Sequence, residues 1–369
     1  MLHLLYSLFD DVSIFNVFKY ITFRSFGAGV TSFAISVFLG GKFINFLKTK
    51  QLKENIRQDG PATHMSKRGT PTMGGLFIVV AILVSAIVWM NLTAMYVWMA
   101  LIFTAGFALI GYMDDRQKVL MGKGVSARSK FLMQTGLGLI IILLLVLGSD
   151  GFTMSIRLDQ VSHYSVTSVM IPFFKKAIID FGWIYIPFAV IVIVGSSNAV
   201  NLTDGLDGLA IGSIAIVSGT YIVFSYLSGN IVFARYLQIP YIAGSGELAV
   251  FLSAVGGACL GFLWYNSHPA QVFMGDVGSL ALGAAIGSVA VIIKQELLLI
   301  IIGGLFVLEV LSVVIQVVFF KLTGRRVLRM APLHHHFELC GWSESKVVIR
   351  FWIISLILSL VALSTLKIR

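Results

Sequence analysis

The sequence predicts an all-α integral membrane protein of about ten transmembrane helices, with its active site at the cytoplasmic face. Three observations carry that reading. Of 369 residues, 57% are hydrophobic and only 12% charged, with a mean hydropathy of +0.92; a soluble domain carries about a quarter charged residues. The apolar runs are about 20 residues long, as a ~30 Å hydrocarbon core demands of a helix, and lack the alternation of a barrel strand. Acidic residues, finally, gather at run ends that an even count of crossings brings to one side.

The runs fall near 26–46, 74–91, 94–113, 131–149, 183–200, 206–228, 247–265, 278–294, 297–320 and 348–366. Before them, Met1–Phe23 is apolar but holds Asp10 and Asp11 and has no basic start or small-residue cleavage site. Segment 1–25 is therefore expected to lie in the membrane interface as an amphipathic helix, not to act as a removable signal. Ten crossings make one polytopic domain over 1–369, with segments 47–73, 114–130, 201–205, 266–277 and 321–347 on one face. That face holds 17 of the 27 lysines and arginines against 9 on the other, with Lys42 inside the first run. The bias makes it cytoplasmic and leaves both termini outside. The net charge of +10 is then an inside-positive signal with affinity for anionic lipid and phosphate, not a nucleic-acid signature. The periplasmic stretch 150–182 is the longest exterior loop, and alternation over Thr153–Leu158 predicts a short hairpin there. Cys259 and Cys340 are not placed to staple anything.

The polar segments carry the chemistry. In the first, Lys67 and Thr72 are candidate donors to phosphate oxygens, with Gly74 and Gly75 permitting close backbone approach; the plainer reading is a basic juxtamembrane linker. The string is not a P-loop. In the second, adjacent Asp114 and Asp115 repel each other at a helix end, where the helix dipole adds to the cost. A cation relieves that strain, either a metal or Arg116 and Lys118; Lys118 and Lys130 also suit a diphosphate. In the third, Asn201, Asp204 and Asp207 recur every three residues, so one helical turn presents them together; a capped turn is the alternative. In the fourth, Asp276 is a candidate ligand or an N-cap, and Asn266 a binding or turn residue. The fifth holds His334, His335 and His336. Three consecutive histidines do not converge on one ion from a regular helix, so phosphate contact or proton transfer suits them better than zinc. Glu309 and Gln316, seven apart, share one face of the ninth run, and intramembrane ionisable groups default to functional sites. A secondary transporter would hold its ionisable groups near the midplane on broken helices, whereas these cluster at span ends. A scaffold protein has no need of five acidic positions with basic partners.

Pro71-Thr-Met-Gly-Gly, Asp114-Asp115, Asn201-Leu-Thr-Asp-Gly-Leu-Asp-Gly, Phe273-Met-Gly-Asp-Val-Gly-Ser and Pro332-Leu-His-His-His-Phe-Glu together resemble the polyprenyl-phosphate hexosamine-1-phosphate transferases. More narrowly, they resemble the phospho-N-acetylmuramoyl-pentapeptide-transferase family, over essentially the whole chain. The resemblance implies transfer of phospho-N-acetylmuramoyl-pentapeptide from UDP-N-acetylmuramoyl-pentapeptide to undecaprenyl phosphate, giving lipid I and UMP in peptidoglycan synthesis. Transfer of N-acetylglucosamine-1-phosphate is the alternative. It implies Mg²⁺ on Asp276, Asp114 as the base that deprotonates the lipid phosphate, and Asp115 supporting the metal or the base. Asn201, Asp204, Asp207 and Asn266 are then expected at the uridine and sugar. Lys67, Thr72, Lys118, Lys130 and His335, flanked by His334 and His336, are expected at phosphates, with Gln316 nearby. A single displacement and a two-step route through a phosphoryl-enzyme both fit these residues. A homodimer in the bacterial inner membrane follows from the same resemblance.

Overall fold

The computed structural model describes residues 2, 13–50, 67, 69–157, 160–174 and 177–368. Residues 1 and 3–12 of the expected interfacial segment 1–25, and residues 51–66 and 68 of the first loop, lie outside the described residues. Ser13–Lys19 forms a 3-10 helix leading into α1 (Ile21–Thr49). The chain continues through α2 (Gly75–Trp89), α3 (Met95–Met121) and α4 (Ala127–Gly148), crosses a β segment, and resumes as α5 (Tyr185–Thr203), α6 (Leu209–Ser228) and short α7 (Ile231–Leu237). It ends with α8 (Glu247–Asn266), α9 (Gly275–Ile292), α10 (Leu299–Ile302), α11 (Gly304–Thr323), α12 (Leu333–Leu339) and α13 (Glu344–Ile368). Among the described residues nine helices are long and apolar enough to cross a membrane, and α2, at 15 residues, is a shorter tenth.

The helices differ from the predicted runs mainly at the functional end. α3 stays helical to Met121, where Gly122 takes a left-handed φ of 71°, so Asp114 and Asp115 lie within a helix and not in a loop. The dipole strain expected for a helix end therefore does not apply to them. Lys130 belongs to the first turn of α4, capped by Ser126, and Asn201 to the last turn of α5. The ninth run breaks at Gly303 into α10 and α11. The third motif is corrected too: α5 ends at Thr203, and Asp204 takes a non-helical ψ of 53° as its cap. Asp204 and Asp207 thus sit in a turn, and one helical face does not present them with Asn201.

At the other end β1 (Phe152–Arg157) pairs antiparallel with β2 (Gln160–Tyr164), as the alternation predicts, and with β5 (Pro240–Tyr241) on its far edge. β3 (Ser168–Met170) and β4 (Ile178–Asp180) form a separate pair. At this end, too, Arg24 of α1 bonds both carboxylate oxygens of Glu247 in α8 at 2.6 Å, and Glu247 accepts the Asn91 N–H beyond α2 at 2.9 Å.

The centre of the bundle is α9, in which every residue except Gly275 is buried. Its sequence, Gly-Asp-Val-Gly-Ser-Leu-Ala-Leu-Gly-Ala-Ala-Ile-Gly-Ser, explains how. Small side chains let neighbouring backbones approach closely where no hydrophobic force separates lipid from protein. Gly283 lies against the backbone of Ser196 and Ser197, whose hydroxyls donate to Gly283 O and Leu280 O at 2.8 and 2.9 Å. Gly111 of α3 lies directly on the Asp276 carbonyl, and Gly75 of α2 on Gly278. These glycine contacts set how closely α2 and α3 approach the acidic N-terminus of α9.

Candidate active site

Asp114 and Asp115 come from α3, Asp276 from the first turn of α9, and one oxygen of each lies within 4.8 Å of the others. All three are buried, at 3%, 3% and 8% exposure. Asp114 Oδ1 accepts the Val125 N–H at 2.7 Å, closing the α3–α4 turn onto the site. Asp115 Oδ2 accepts the Val277 N–H at 3.1 Å, one of the donors a helix N-terminus leaves unsatisfied. Asp276 shares that electropositive helix start. Two ammonium groups enter the cluster. Lys118 Nζ lies 2.7 Å from Asp114 Oδ2, 3.1 Å from Asp276 Oδ1 and 3.5 Å from Asp115 Oδ1. Lys130 donates to Asp276 Oδ2 and lies 3.5 Å from Asp114. Asn201 Nδ2 donates to Asp276 Oδ1 and to Ser279 Oγ, both at 2.8 Å. Three carboxylates against two lysines leave one negative charge in a buried, oxygen-lined space. Hard oxygen donors are what a magnesium-type cation prefers, so the donor set fits a divalent ion, with Asp276 and Asp115 as its carboxylates and Asp114 beside them.

The Asn201–Asp276 bond joins the C-terminal end of α5 to the N-terminal end of α9, so the segments after α5 and after α8 stand at the same end of the bundle. The Pro71-Thr-Met-Gly-Gly string joins them by its backbone. Phe273 N donates to Pro71 O at 2.9 Å, while Gly74 N and Gly75 N donate to Phe273 O and Met274 O at 2.9 and 2.7 Å. Gly74 and Gly75 thus lie against Phe273 O and the Gly278 backbone, so the close approach they permit is to the start of α9, where phosphate was expected. Thr72 is buried beside the cluster: a Cβ on Gly275 would meet Asp115 Oδ2 at 2.6 Å and Thr72 Oγ1 at 3.2 Å.

Lys67 and Asp207 belong to a second cluster. Lys67 Nζ bridges Asp207 Oδ1 at 2.7 Å and Glu344 Oε1 at 2.6 Å. Glu344 also accepts the Asp207 N–H at 2.8 Å, and Asp207 Oδ2 accepts the Ala270 N–H at 3.0 Å with His268 Nδ1 at 3.2 Å. Asp207, His268 and Glu344 also bring their ligand atoms within 4.8 Å of one another. Sequence reasoning missed His268 and Glu344. His268 stood inside the quoted Asn266-Ser-His-Pro string, whereas Glu344 looks like any acidic residue favoured in the first turn of a helix.

Asn266 accepts the Gly208 N–H at 3.0 Å and donates to Val272 O at 2.8 Å, fastening two loops. Gln316 accepts from Val327 N and Leu328 N and donates to Leu328 O, so its amide holds the chain that follows α11. The three histidines of α12 point three ways. His334 is 1% exposed and faces Glu309, His335 Nδ1 lies 2.8 Å from Glu338, and His336 accepts the Arg329 N–H at 3.2 Å.

Fold and site define a class first: residues 97–294, more than half the chain, match the glycosyl transferase family 4 model. Residues 67–79, which lead from Lys67 into α2, match phospho-N-acetylmuramoyl-pentapeptide-transferase signature 1. Over 372 residues the chain is 52% identical to the phospho-N-acetylmuramoyl-pentapeptide-transferase of Desulfotalea psychrophila, covering 100% of this chain and 99% of the relative. It is 52% identical over 370 residues to that of Desulfosudis oleivorans, with coverage of 100% and 99%. The chain belongs to the phospho-N-acetylmuramoyl-pentapeptide-transferase family.

Proposed function

We propose that the chain transfers phospho-N-acetylmuramoyl-pentapeptide from UDP-N-acetylmuramoyl-pentapeptide to undecaprenyl phosphate, giving lipid I and UMP. The observation that carries this is the convergence of Asp114, Asp115 and Asp276 with Lys118 and Lys130 at one end of the helices. A substrate too apolar to leave the bilayer needs its phosphate met there, by charge that neutralises the transferring phosphoryl group.

Asp276, with Asp115, would hold Mg²⁺, which when bound supplies positive charge to the diphosphate oxygens. Asp114 takes the proton from the lipid phosphate. The freed oxygen forms a bond to the sugar-bearing phosphorus as the bond to UMP breaks, and UMP leaves with the electron pair. Lys118 and Lys130 release their carboxylate partners to meet phosphate oxygens. Asn201 keeps Asp276 oriented, and the turn carrying Asp204 and Asp207, with Lys67, meets the nucleotide-sugar. The lysine and arginine bias favours a cytoplasmic site in the bacterial inner membrane with both chain ends outside. Labelling single cysteines at the exposed positions 123 and 174 from either side tests it, with only the first expected to react from the cytoplasm. A homodimer is part of the same proposal, and native mass spectrometry in detergent reads it.

The deciding experiment incubates purified protein with undecaprenyl phosphate and either UDP-N-acetylmuramoyl-pentapeptide or UDP-N-acetylglucosamine, and follows UMP. Mg²⁺-dependent release with the first and not the second is expected. Release with the second alone would replace this reading with an N-acetylglucosamine-1-phosphate transferase.

A further inference from the structure

We propose that Glu309 and His334 form a buried positioning pair that sets the Asp204–Gly208 turn, and through it the fit of the nucleotide-sugar substrate. The proposal rests on the transferase reading above. Glu309, within α11, is 0% exposed, and His334, the second residue of α12, is 1% exposed. His334 Nδ1 stands 3.2 Å from Glu309 Oε2, and neither side chain has a hydrogen-bond partner elsewhere among the described residues. Burying a carboxylate and an imidazole with so few partners is costly. A well-packed apolar pair of similar volume is often as stable or more so, so stability alone gives no account of the pair.

The other side of the imidazole does. Gly205 packs against it so closely that the three nearest neighbours of a Cβ placed there are all His334 ring atoms, Nε2, Cε1 and Cδ2. Gly205 is not among the residues with left-handed φ, so its own backbone would accept a side chain; only the histidine excludes one. On either side of this contact Leu333 and Phe337 of α12 pack into the apolar cluster that holds Leu206 and Leu209. α12 is therefore a floor beneath the turn, and His334 is the point where floor and turn backbone meet. Glu309 reaches it from the membrane helix and holds the ring against Gly205, with Asp204 and Asp207 on either side. His334, expected from the sequence at a phosphate, is on this geometry a positioning residue.

The test is a double-mutant cycle of Gly205→Ala and His334→Ala in the full-length protein. UMP release is read at varied UDP-N-acetylmuramoyl-pentapeptide, and thermal stability is measured alongside. Gly205→Ala alone should raise KM about tenfold or more with kcat changed less, since a misplacement of about 1 Å can cost up to about 10²-fold. In the His334→Ala background the methyl has room, so the second substitution should add almost nothing. Glu309→Ala, which frees the ring from behind, should raise KM as His334→Ala does. Equal KM penalties for Gly205→Ala with and without His334 would overturn the proposal, as would Gly205→Ala with KM unmoved or a loss of stability alone. If His334→Ala does not accumulate as folded protein, His334→Ser completes the same cycle. Wild-type protein that releases no UMP overturns the transferase reading, and this proposal with it, before any variant is compared.

Discussion

Replacing Asp276 by Asn separates the metal role of the carboxylate from its structural role. Its Oδ1 lies 3.1 Å from Lys118 Nζ; at an effective dielectric constant of about 20 that contact carries about 5 kcal/mol of gross attraction, before desolvation is subtracted. The loss is not a loss of stability, because both lysines keep other partners. Lys118 stays 2.7 Å from Asp114 and 3.5 Å from Asp115, and Lys130 stays 3.5 Å from Asp114. Two carboxylates then face two ammonium groups, and the local charge moves from minus one to zero. The variant should therefore fold with stability within about 1 kcal/mol of wild type, as mutations that leave no charge unpaired do. Its kcat should fall by at least about 10²–10³-fold, as when a preorganised electrostatic partner of the transition state is removed. Wild type in Mg²⁺ at a hundred times its Kd gains about 2.7 kcal/mol against thermal unfolding by mass action, and Asp276→Asn should gain none. Thermal melts with and without Mg²⁺, beside UMP release, read both effects. A variant that keeps a tenth of the wild-type rate, or melts with an undiminished Mg²⁺ shift, refutes the ligand assignment.

Gly111→Val should drive α3 away from the Asp276 carbonyl it touches, costing about 1–3 kcal/mol of stability as overpacking does and lowering kcat by separating Asp115 from Asp276. Asn201→Ala removes a donor to Asp276 and one to Ser279; kcat should drop about tenfold, the worth of roughly one hydrogen bond to a charge, with the metal requirement retained. Lys67→Met should cost about 3–5 kcal/mol in a thermal melt by leaving the Asp207 and Glu344 carboxylates buried without their ammonium partner, whereas Glu344→Gln, which leaves Lys67 bonded to Asp207, should cost less. Arg24→Leu should cost about 3–5 kcal/mol by leaving Glu247 buried without its partner, while KM and kcat of the remaining folded enzyme stay at wild-type values.

The helical bundle was legible because crossing a bilayer imposes a length on each apolar run, and the acidic cluster because Asp114-Asp115 and Asp276 break such runs at ends that share a face. What the sequence could not show was how far each helix continues beyond the apolar stretch. The α3 backbone stays helical through Arg116 and Lys118 and stops only at Gly122, which turns an expected loop pair into a buried helical one. Periodicity also misled at Asn201, Asp204 and Asp207: spacing by three is shared by a helical turn and by a capped exit from one, and Gly205 and Gly208 decide for the exit. Asn201 consequently serves the metal-type cluster and Asp207 the lysine cluster. Glu344 was invisible for another reason, since its partners Lys67 and Asp207 lie 277 and 137 residues away and nothing local marks it.

That division of one motif between two clusters bears on how the chemistry is organised. Much of the polar capacity in the motif strings is used internally: Pro71 O takes the Phe273 N–H, Asn266 takes the Gly208 N–H, and Glu344 takes the Asp207 N–H. These bonds tie the segments before α2, after α5, after α8 and before α13 into one rigid rim. Among the described residues, the Asp114–Asp115–Asp276 cluster and the lysines that face it carry charge beyond these rim bonds, and on the proposed reaction they exchange partners when phosphate arrives. Asn201, within α5, holds Asp276, whereas the turn from Asp204 to Gly208 is fastened by Asn266 and Glu344, so a shift of that turn moves Asp207 relative to Lys67 and leaves Asn201 in its helix. Substitutions at the rim bonds of the turn should then raise KM with kcat changed less, whereas substitutions at Asp276 should act on kcat. Finding kcat lowered as far as KM is raised in Asn266→Ala, whose side chain bonds Gly208 and Val272, would show that the two clusters move together.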